Sequence, residues 1–345
     1  MTIRTAGSIP VAALVAALAL ATSSSATASD FPGFCTASAD ALLLGCYAHF
    51  IGDRYVRKAI CWNVADPDER AECLADREQQ RQDDKELCNG QHLTRVKACR
   101  LLGESRYDPK FEPDLFDDPR SPTKPNPFFP LNVGYKWEYR SGDEFNTIEV
   151  LNETKLLESG VRCITVKDRV EIGGFTAELT DDWFATAKDG TTWYCGENTG
   201  VYETFEGDDP KVAELVEIEG SFKAGRDGDK PGIIFLANPK VGDVYLEEFS
   251  LDTAEDVTEI LSTTYKFGND ADLDRSVPQE LANRFCNGDC VLTKNWSLLE
   301  PGAFSRKLYA AGIGVIAEID LDEPDVVTQL TNCSFDPRCE NLPQP

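Results

Sequence analysis

Carboxylates dominate the chemistry this chain can do: 60 Asp and Glu stand against 34 Lys and Arg. Asp181, Asp182 and Glu197 flank Trp183 and Trp193. Acids beside aromatics suit a sugar-handling site, where one carboxyl protonates a leaving oxygen and another acts as base or nucleophile. An acidic β-protein also acquires such neighbours without any catalytic purpose. Asp270, Asp272 and Asp274 alternate in Gly268-Asn-Asp-Ala-Asp-Leu-Asp274, as the carboxylates of calcium loops do. The loop departs from the EF-hand pattern, because Arg275 replaces the required Gly, Leu281 stands where the bidentate Glu belongs, and Glu280 comes one place early. A weak calcium site or a solvated acidic turn is expected there, and no other cofactor.

Other chemistries are poorly supplied. His49 and His92 are the only histidines, both far from any candidate serine, and no Gly-x-Ser-x-Gly elbow occurs, which speaks against a Ser-His-Asp hydrolase. Gly312-Ile-Gly314-Val-Ile-Ala317 matches a dinucleotide fingerprint only as letters, since β-formers and acids follow it where a helix is needed. No Cys-x-x-Cys and no His-Glu-x-x-His is present to hold a transition metal. A net charge of −26 repels phosphate backbones, so nucleic acid is excluded as a partner while a cation or a basic protein surface is favoured.

If the chain is a binder, its ligand needs aromatic walls and a few charged tips. Period-two alternation puts Trp183 on the opposite face of its strand from Asp182 and Phe184. Trp193, Lys294 and Trp296 lie on other expected strands and can join Trp183 on that face, forming the expected ligand-binding set. The competing reading is that these tryptophans fill the core.

The cysteines constrain the architecture. Twelve are present, an even number that favours a disulfide framework in an exported chain. Cys61 with Cys73, Cys46 with Cys88 and Cys35 with Cys99 have position numbers that each total 134. A constant total is the rule for residues facing each other across an antiparallel hairpin. Its midpoint, residue 67, coincides with a helix start, because Asp66 is a capping residue, Pro67 suits the first position, and Asp68 and Glu69 favour the first turn. Helices are expected over about 38–63 and 67–89, with Gly90 as a stop and a shorter helix over about 91–102. The second is nearly all polar, so cross-links must supply stability that a small core cannot, about 2–4 kcal/mol each. Cys286-Asn-Gly-Asp-Cys290 brackets a turn and is expected to close on itself, as are Cys333 and Cys339. Cys163 and Cys195 remain. In a simple meander another strand separates them, so either the sheet curls, or one is free, or that strand order is wrong.

Residues 1–28, with Arg4, an apolar run over 11–21 and small residues before Ala28, read as a secretory signal peptide. No later segment reads as a membrane span, and a periplasmic or extracellular location is expected. The cysteine-rich hairpin occupies 29–103. Seven prolines mark 104–130 as an extended linker whose aromatics lie against a folded surface. From 131 to 325, β-forming clusters broken by Ser159-Gly160, Gly173-Gly174 and Asp189-Gly190 predict an antiparallel domain, with 326–345 as a tail.

Several phrases of this region resemble an uncharacterised family of exported bacterial β-rich proteins. They include Asn126-Pro-Phe-Phe-Pro-Leu131 with Gly134 and Trp137, Lys230-Pro-Gly-Ile-Ile234, Asn238-Pro-Lys-Val-Gly-Asp243, and Leu299-Glu-Pro-Gly302 with Tyr309 and Gly312-Ile-Gly314. The resemblance implies an exported β-rich domain and no activity.

The fold expected is therefore α+β, a disulfide-stapled helical hairpin followed by a mainly antiparallel β domain, as a curled meander, sandwich or partial barrel. The function expected is non-enzymatic ligand or surface binding, with a carboxylate-based hydrolase and an envelope assembly protein as alternatives.

Overall fold

The computed structural model describes residues 33–345 apart from Glu219, and the side chains of Arg77 and Glu78 are not described. The expected signal peptide lies outside the described residues. An α+β chain results, in which a stapled helical hairpin precedes a 14-stranded, antiparallel sheet.

Helix α1 (Phe34–Trp62) and helix α2 (Pro67–Leu102) form the hairpin. The Asp66 side chain accepts from the backbone N–H groups of Asp68 at 2.8 Å and Glu69 at 3.0 Å, satisfying donors that the first turn leaves open. Three nested bridges, Cys35–Cys99, Cys46–Cys88 and Cys61–Cys73, tie the helices with Cα separations of 5.6, 5.8 and 5.6 Å. Two expectations need correction here. Gly90 does not end a helix: α2 runs through it, and the missing side chain lets the helix approach the β-domain, since a Cβ would lie 2.8 Å from the Pro301 ring. Nor is the chain beyond residue 28 free of span-like segments, because α1 is long and apolar enough to cross a membrane by length and composition. Asp53, Arg54, Arg57 and Lys58 gather in the second half of α1, which leaves Asp40 as the one Asp, Glu, Lys or Arg from Phe34 to Gly52 and hides the apolar stretch in the sequence.

Only the base of the hairpin packs on the sheet. Gln91 donates to the Leu299 carbonyl at 2.9 Å, Ala98 packs with Trp296, Leu246 and Val257, and Arg95 forks onto Glu255 at 2.9 and 2.7 Å. Both members of that ion pair are buried, so each needs the other.

The sheet is two meanders joined through their outer strands. The first comprises β1 (Lys136–Ser141), β2 (Glu144–Leu156), β3 (Arg162–Ile172), β4 (Phe175–Thr186), β5 (Thr192–Glu203) and β6 (Glu214–Glu217). Two short strands, β7 (Phe222–Lys223) and β8 (Gly232–Phe235), also pair with β5. The second meander holds β9 (Val244–Leu246), β10 (Asp256–Tyr265), β11 (Cys290–Ser297), β12 (Phe304–Ala310), β13 (Gly314–Asp320) and β14 (Val327–Cys333). A short helix, α3 (Gln279–Phe285), interrupts it before β11. β14 pairs with both β13 and β1, so residues expected in a C-terminal tail instead join the two halves of the sheet.

The outer edges also come together. The Lys230 amide, just before β8, donates to the Phe249 carbonyl, just after β9, at 2.9 Å. Gly232 permits this approach, since a Cβ there would meet the Glu247 carbonyl oxygen at 1.7 Å. Cys163 on β3 and Cys195 on β5 are bridged with Cα atoms 6.7 Å apart. Strands on either side of a third lie roughly 9.6 Å apart in a flat sheet. The sheet therefore curls sharply over β4, which settles the pairing left open by the sequence. Cys286–Cys290 and Cys333–Cys339 complete the framework, and no described cysteine is free.

The proline-rich segment straps this curled sheet. Tyr107 packs on Phe249, Phe111 on Trp193, Phe128 on Phe235 and Phe129 on Phe184, each with ring centroids within 5.7 Å.

Candidate functional site

Curling leaves a cavity of about 340 Å³ within the sheet. Alternation decides its lining. On β4, Asp182 and Phe184 face the cavity, while on β3 their register partners are Val166 and Ile164. On β5, Tyr194 stacks on Phe184 with centroids 4.7 Å apart, and Glu197 lies opposite Asp182. On the other side, β12 contributes Lys307 and Tyr309, β13 contributes Val315 and Glu318, and Glu247, Glu248 and Asp256 come from the β9–β10 edge.

These residues sort along the strands. Phe129, Leu131, Trp137, Val150, Phe184 and Ile313 form an apolar end, covered by the strap. The Trp137 indole is anchored by donating to the Ile313 carbonyl at 2.7 Å, and the Tyr139 hydroxyl donates to Val315 at 3.0 Å. Carboxylates gather towards the other end: Asp168, Asp182, Glu247, Glu248, Asp256 and Glu318, with Lys307 among them.

Some are held firmly. Glu247 accepts from the Thr258 hydroxyl and from the Asn295 amide at 3.1 Å, and lies 3.9 Å from the Lys307 ammonium. Asn146 donates to Asp168 at 3.0 Å, and its own side-chain oxygen is buried without a partner. Tyr194 donates a short hydrogen bond to Asp182.

The charge balance remains unfavourable, and the proton affinities register it. Burial, then the neighbouring Glu178, raises Asp168 to about 7. Burial and the Asp168 charge raise Asp182 to about 8, and burial with Asp182 raises Glu197 to about 8. Glu247, Glu248 and Asp256 are also pushed up, chiefly by burial. For Lys307, burial favours the neutral amine, but Glu318 and Glu247 outweigh it and its pKa ends well above the ordinary value. One ammonium thus answers six cavity carboxylates. An opposite charge arriving from outside would be attracted to the ionised forms.

The four residues expected to bind ligand form two separate pairs, Trp183 with Trp193 and Lys294 with Trp296, that do not meet in one site. Trp183 is buried on the outer face of β4 with the Cys163–Cys195 bridge and Phe116, and Lys155 lies 4.5 Å from its ring centroid. Trp193 packs beneath the strap at 5.7 Å from Phe111. Trp296 lies under α2, while Lys294 sits 4.0 Å from the Phe304 ring centroid. None of the four lines the cavity. The physical reason is the direction of curl: period two correctly separated Trp183 from Asp182 and Phe184, but the concave side is the one bearing Asp182.

The Asp270–Asp274 turn is arranged as the solvated acidic turn of the two readings. Asp270 accepts from the amides of Asp272 and Leu273, Asp274 accepts from the Gly268 amide and Tyr265 hydroxyl, and Asp272 pairs with Arg275. The carboxylates serve the turn's own donors, and no set of three metal-ligating side chains converges among the described residues.

Asp168, Glu247, Glu248, Asp256 and Lys307 were missed by the sequence reading. Their signal was faint: each is a charged residue inside a β-forming run. No family model, curated protein or solved structure matches this chain.

Proposed function

We propose that this protein is a non-enzymatic binder of a small amphipathic cation, working in an oxidising compartment outside the cytoplasm. The observation that carries the reading is the 340 Å³ cavity, apolar at its strapped end and rich in carboxylates at the other. Its volume lies within the range of small-ligand sites, roughly 300–1,000 Å³. An alkyl or aryl body fits the Phe129, Leu131 and Phe184 end. A cationic head reaches Asp168, Asp182 and Glu248, relieving repulsion that Lys307 alone leaves in place. Six disulfides support the oxidising compartment, since such frameworks persist outside the reducing cytosol.

Octylammonium, octanol and octanoate share one chain and differ in head group, so calorimetric titration with the three isolates the charge preference. Octylammonium is expected to bind, octanol more weakly and octanoate not at all. Equal binding of the three, or a preference for octanoate, would refute the cationic assignment.

A second reading is favoured by one feature. Asp182 and Glu197 are direct cross-strand neighbours whose pKa values rise to about 8, the kind of perturbation found in acid–base catalysts. Hydrolysis of nitrophenyl glycosides that disappears in Asp182→Asn would favour a hydrolase. Glu197 does not line the cavity, which weighs towards binding.

A further inference from the structure

The face of α1 turned away from the disulfides bears no charged residue from Ala41 to Ala59 and is open to solvent, and at its far end the Lys58 ammonium lies 4.8 Å from the Trp62 ring centroid. Leu44 and Tyr55 are each 70% exposed, Ile51 58% and Trp62 63%. Ala41, Gly45, Ala48, Gly52, Tyr55, Ala59 and Trp62 recur at alternating steps of four and three, forming one heptad seam. Gly45 and Gly52 have nothing near the position a Cβ would occupy.

We propose that this seam pairs with the same seam of a second copy, the two α1 helices running antiparallel and crossing at Gly52. The order of side-chain sizes selects this occupant. Small residues fill the first half of the seam and the large aromatics stand in the second. Reversal sets Ala41 against Trp62 of the second copy, Gly45 against Ala59, and Ala48 against Tyr55, while Gly52 meets its own equivalent. Every large ring then meets a small residue. Parallel pairing would instead set Trp62 on Trp62 and Tyr55 on Tyr55, and leave gaps at Gly45 and Ala48. An isologous contact of this kind closes on itself as a two-fold dimer.

Charge points the same way. Residues 34–102 hold eleven acidic and ten basic side chains, a net of −1, so of the whole chain's −26 the remainder carries −25. The arm is a nearly neutral extension of a strongly acidic body. Antiparallel arms place the two bodies at opposite ends of a helix about 43 Å long, several times the screening length of about 8 Å. An anionic membrane laid along α1 would instead draw the acidic body towards like charge.

Sedimentation of the full chain across a concentration series tests the pairing. A monomer–dimer equilibrium is expected. Gly52→Arg should abolish it without lowering the melting temperature of the monomer, since residue 52 is exposed. Ala48→Tyr and Tyr55→Ala should each weaken the dimer about tenfold, about 1.4 kcal/mol. The double variant, which exchanges large and small across an antiparallel seam, should restore it. A chain monomeric at every concentration, a double variant no better than the singles, or α1-dependent capture on phosphatidylglycerol vesicles in place of dimerisation would overturn the proposal.

Discussion

At position 182 a carboxylate is held on the concave side of a curled sheet, within the field of Asp168 and Glu178, with the Tyr194 hydroxyl as its hydrogen-bond donor. Its pKa of about 8 means that the folded chain prefers it protonated at neutral pH. Asp182→Asn keeps the shape and removes the charge. This variant should therefore melt higher than the parent at pH 8, by a margin that narrows at pH 5, and bind octylammonium more weakly, as thermal scans and titration at the two pH values would show. A lower melting temperature for Asp182→Asn at pH 8 would mean that the ionised carboxylate stabilises the fold. The alternation that puts Asp182 and Phe184 on one face was legible in the sequence. Which face is concave was not, because curl arises from long-range closure through Gly232 and the Cys163–Cys195 bridge. Glu247 and Lys307, far apart in sequence, meet only after that closure.

The stapled hairpin and the sheet seam differ in what holds them. Constant total position numbers made the hairpin bridges readable, because local helical geometry fixes them. The continuity of α2 through Gly90 depends on Pro301 and was not readable. Beyond its base the arm has little core, with Leu44, Ile51, Val56 and Ile60 exposed, so its bridges must hold it together. Replacing Cys46 and Cys88 with Ser should cost the arm about 2–4 kcal/mol. Helical circular dichroism should then be lost at a lower temperature than the near-ultraviolet signal of the sheet aromatics. The seam between β8 and β9 depends on one missing side chain. Gly232→Ala would drive a methyl group into the Glu247 carbonyl oxygen, and a loss of about 1–3 kcal/mol is expected from the forced separation. A denaturant midpoint unchanged by Gly232→Ala would show that the seam contributes little.

For the whole molecule, the buried carboxylates in and beside the cavity make stability a function of pH with a sign opposite to that of most acidic groups. Asp168, at about 7, and Asp182 and Glu197, at about 8, all sit above their ordinary values of 3.8, 3.8 and 4.5. Between those limits the folded chain binds more protons than the unfolded one. Their contribution is thus fully present at the acid end of the window and is lost as pH rises through 7 to 8. Each group titrating there adds a slope approaching about 1.4 kcal/mol per pH unit. Surface carboxylates such as Asp118 and Glu158, lowered to about 2 by Arg120 and Lys223 respectively, act oppositely, but only below about pH 4.5. The melting temperature should consequently rise as pH falls from 8 to 5 and decline only at lower pH. General repulsion among surface charges gives the same trend, and salt separates the two causes, since screening weakens exposed pairs far more than buried ones. In 0.5 M salt, where the screening length is about 4 Å, the rise should persist in the parent and become shallower in the Asp182→Asn, Glu197→Gln double variant. Bound octylammonium prefers the ionised carboxylates, so its stabilising increment should be larger at pH 8 than at pH 5. A melting temperature that falls between pH 8 and pH 5, or an increment independent of pH, would remove the carboxylate cavity as the seat of binding.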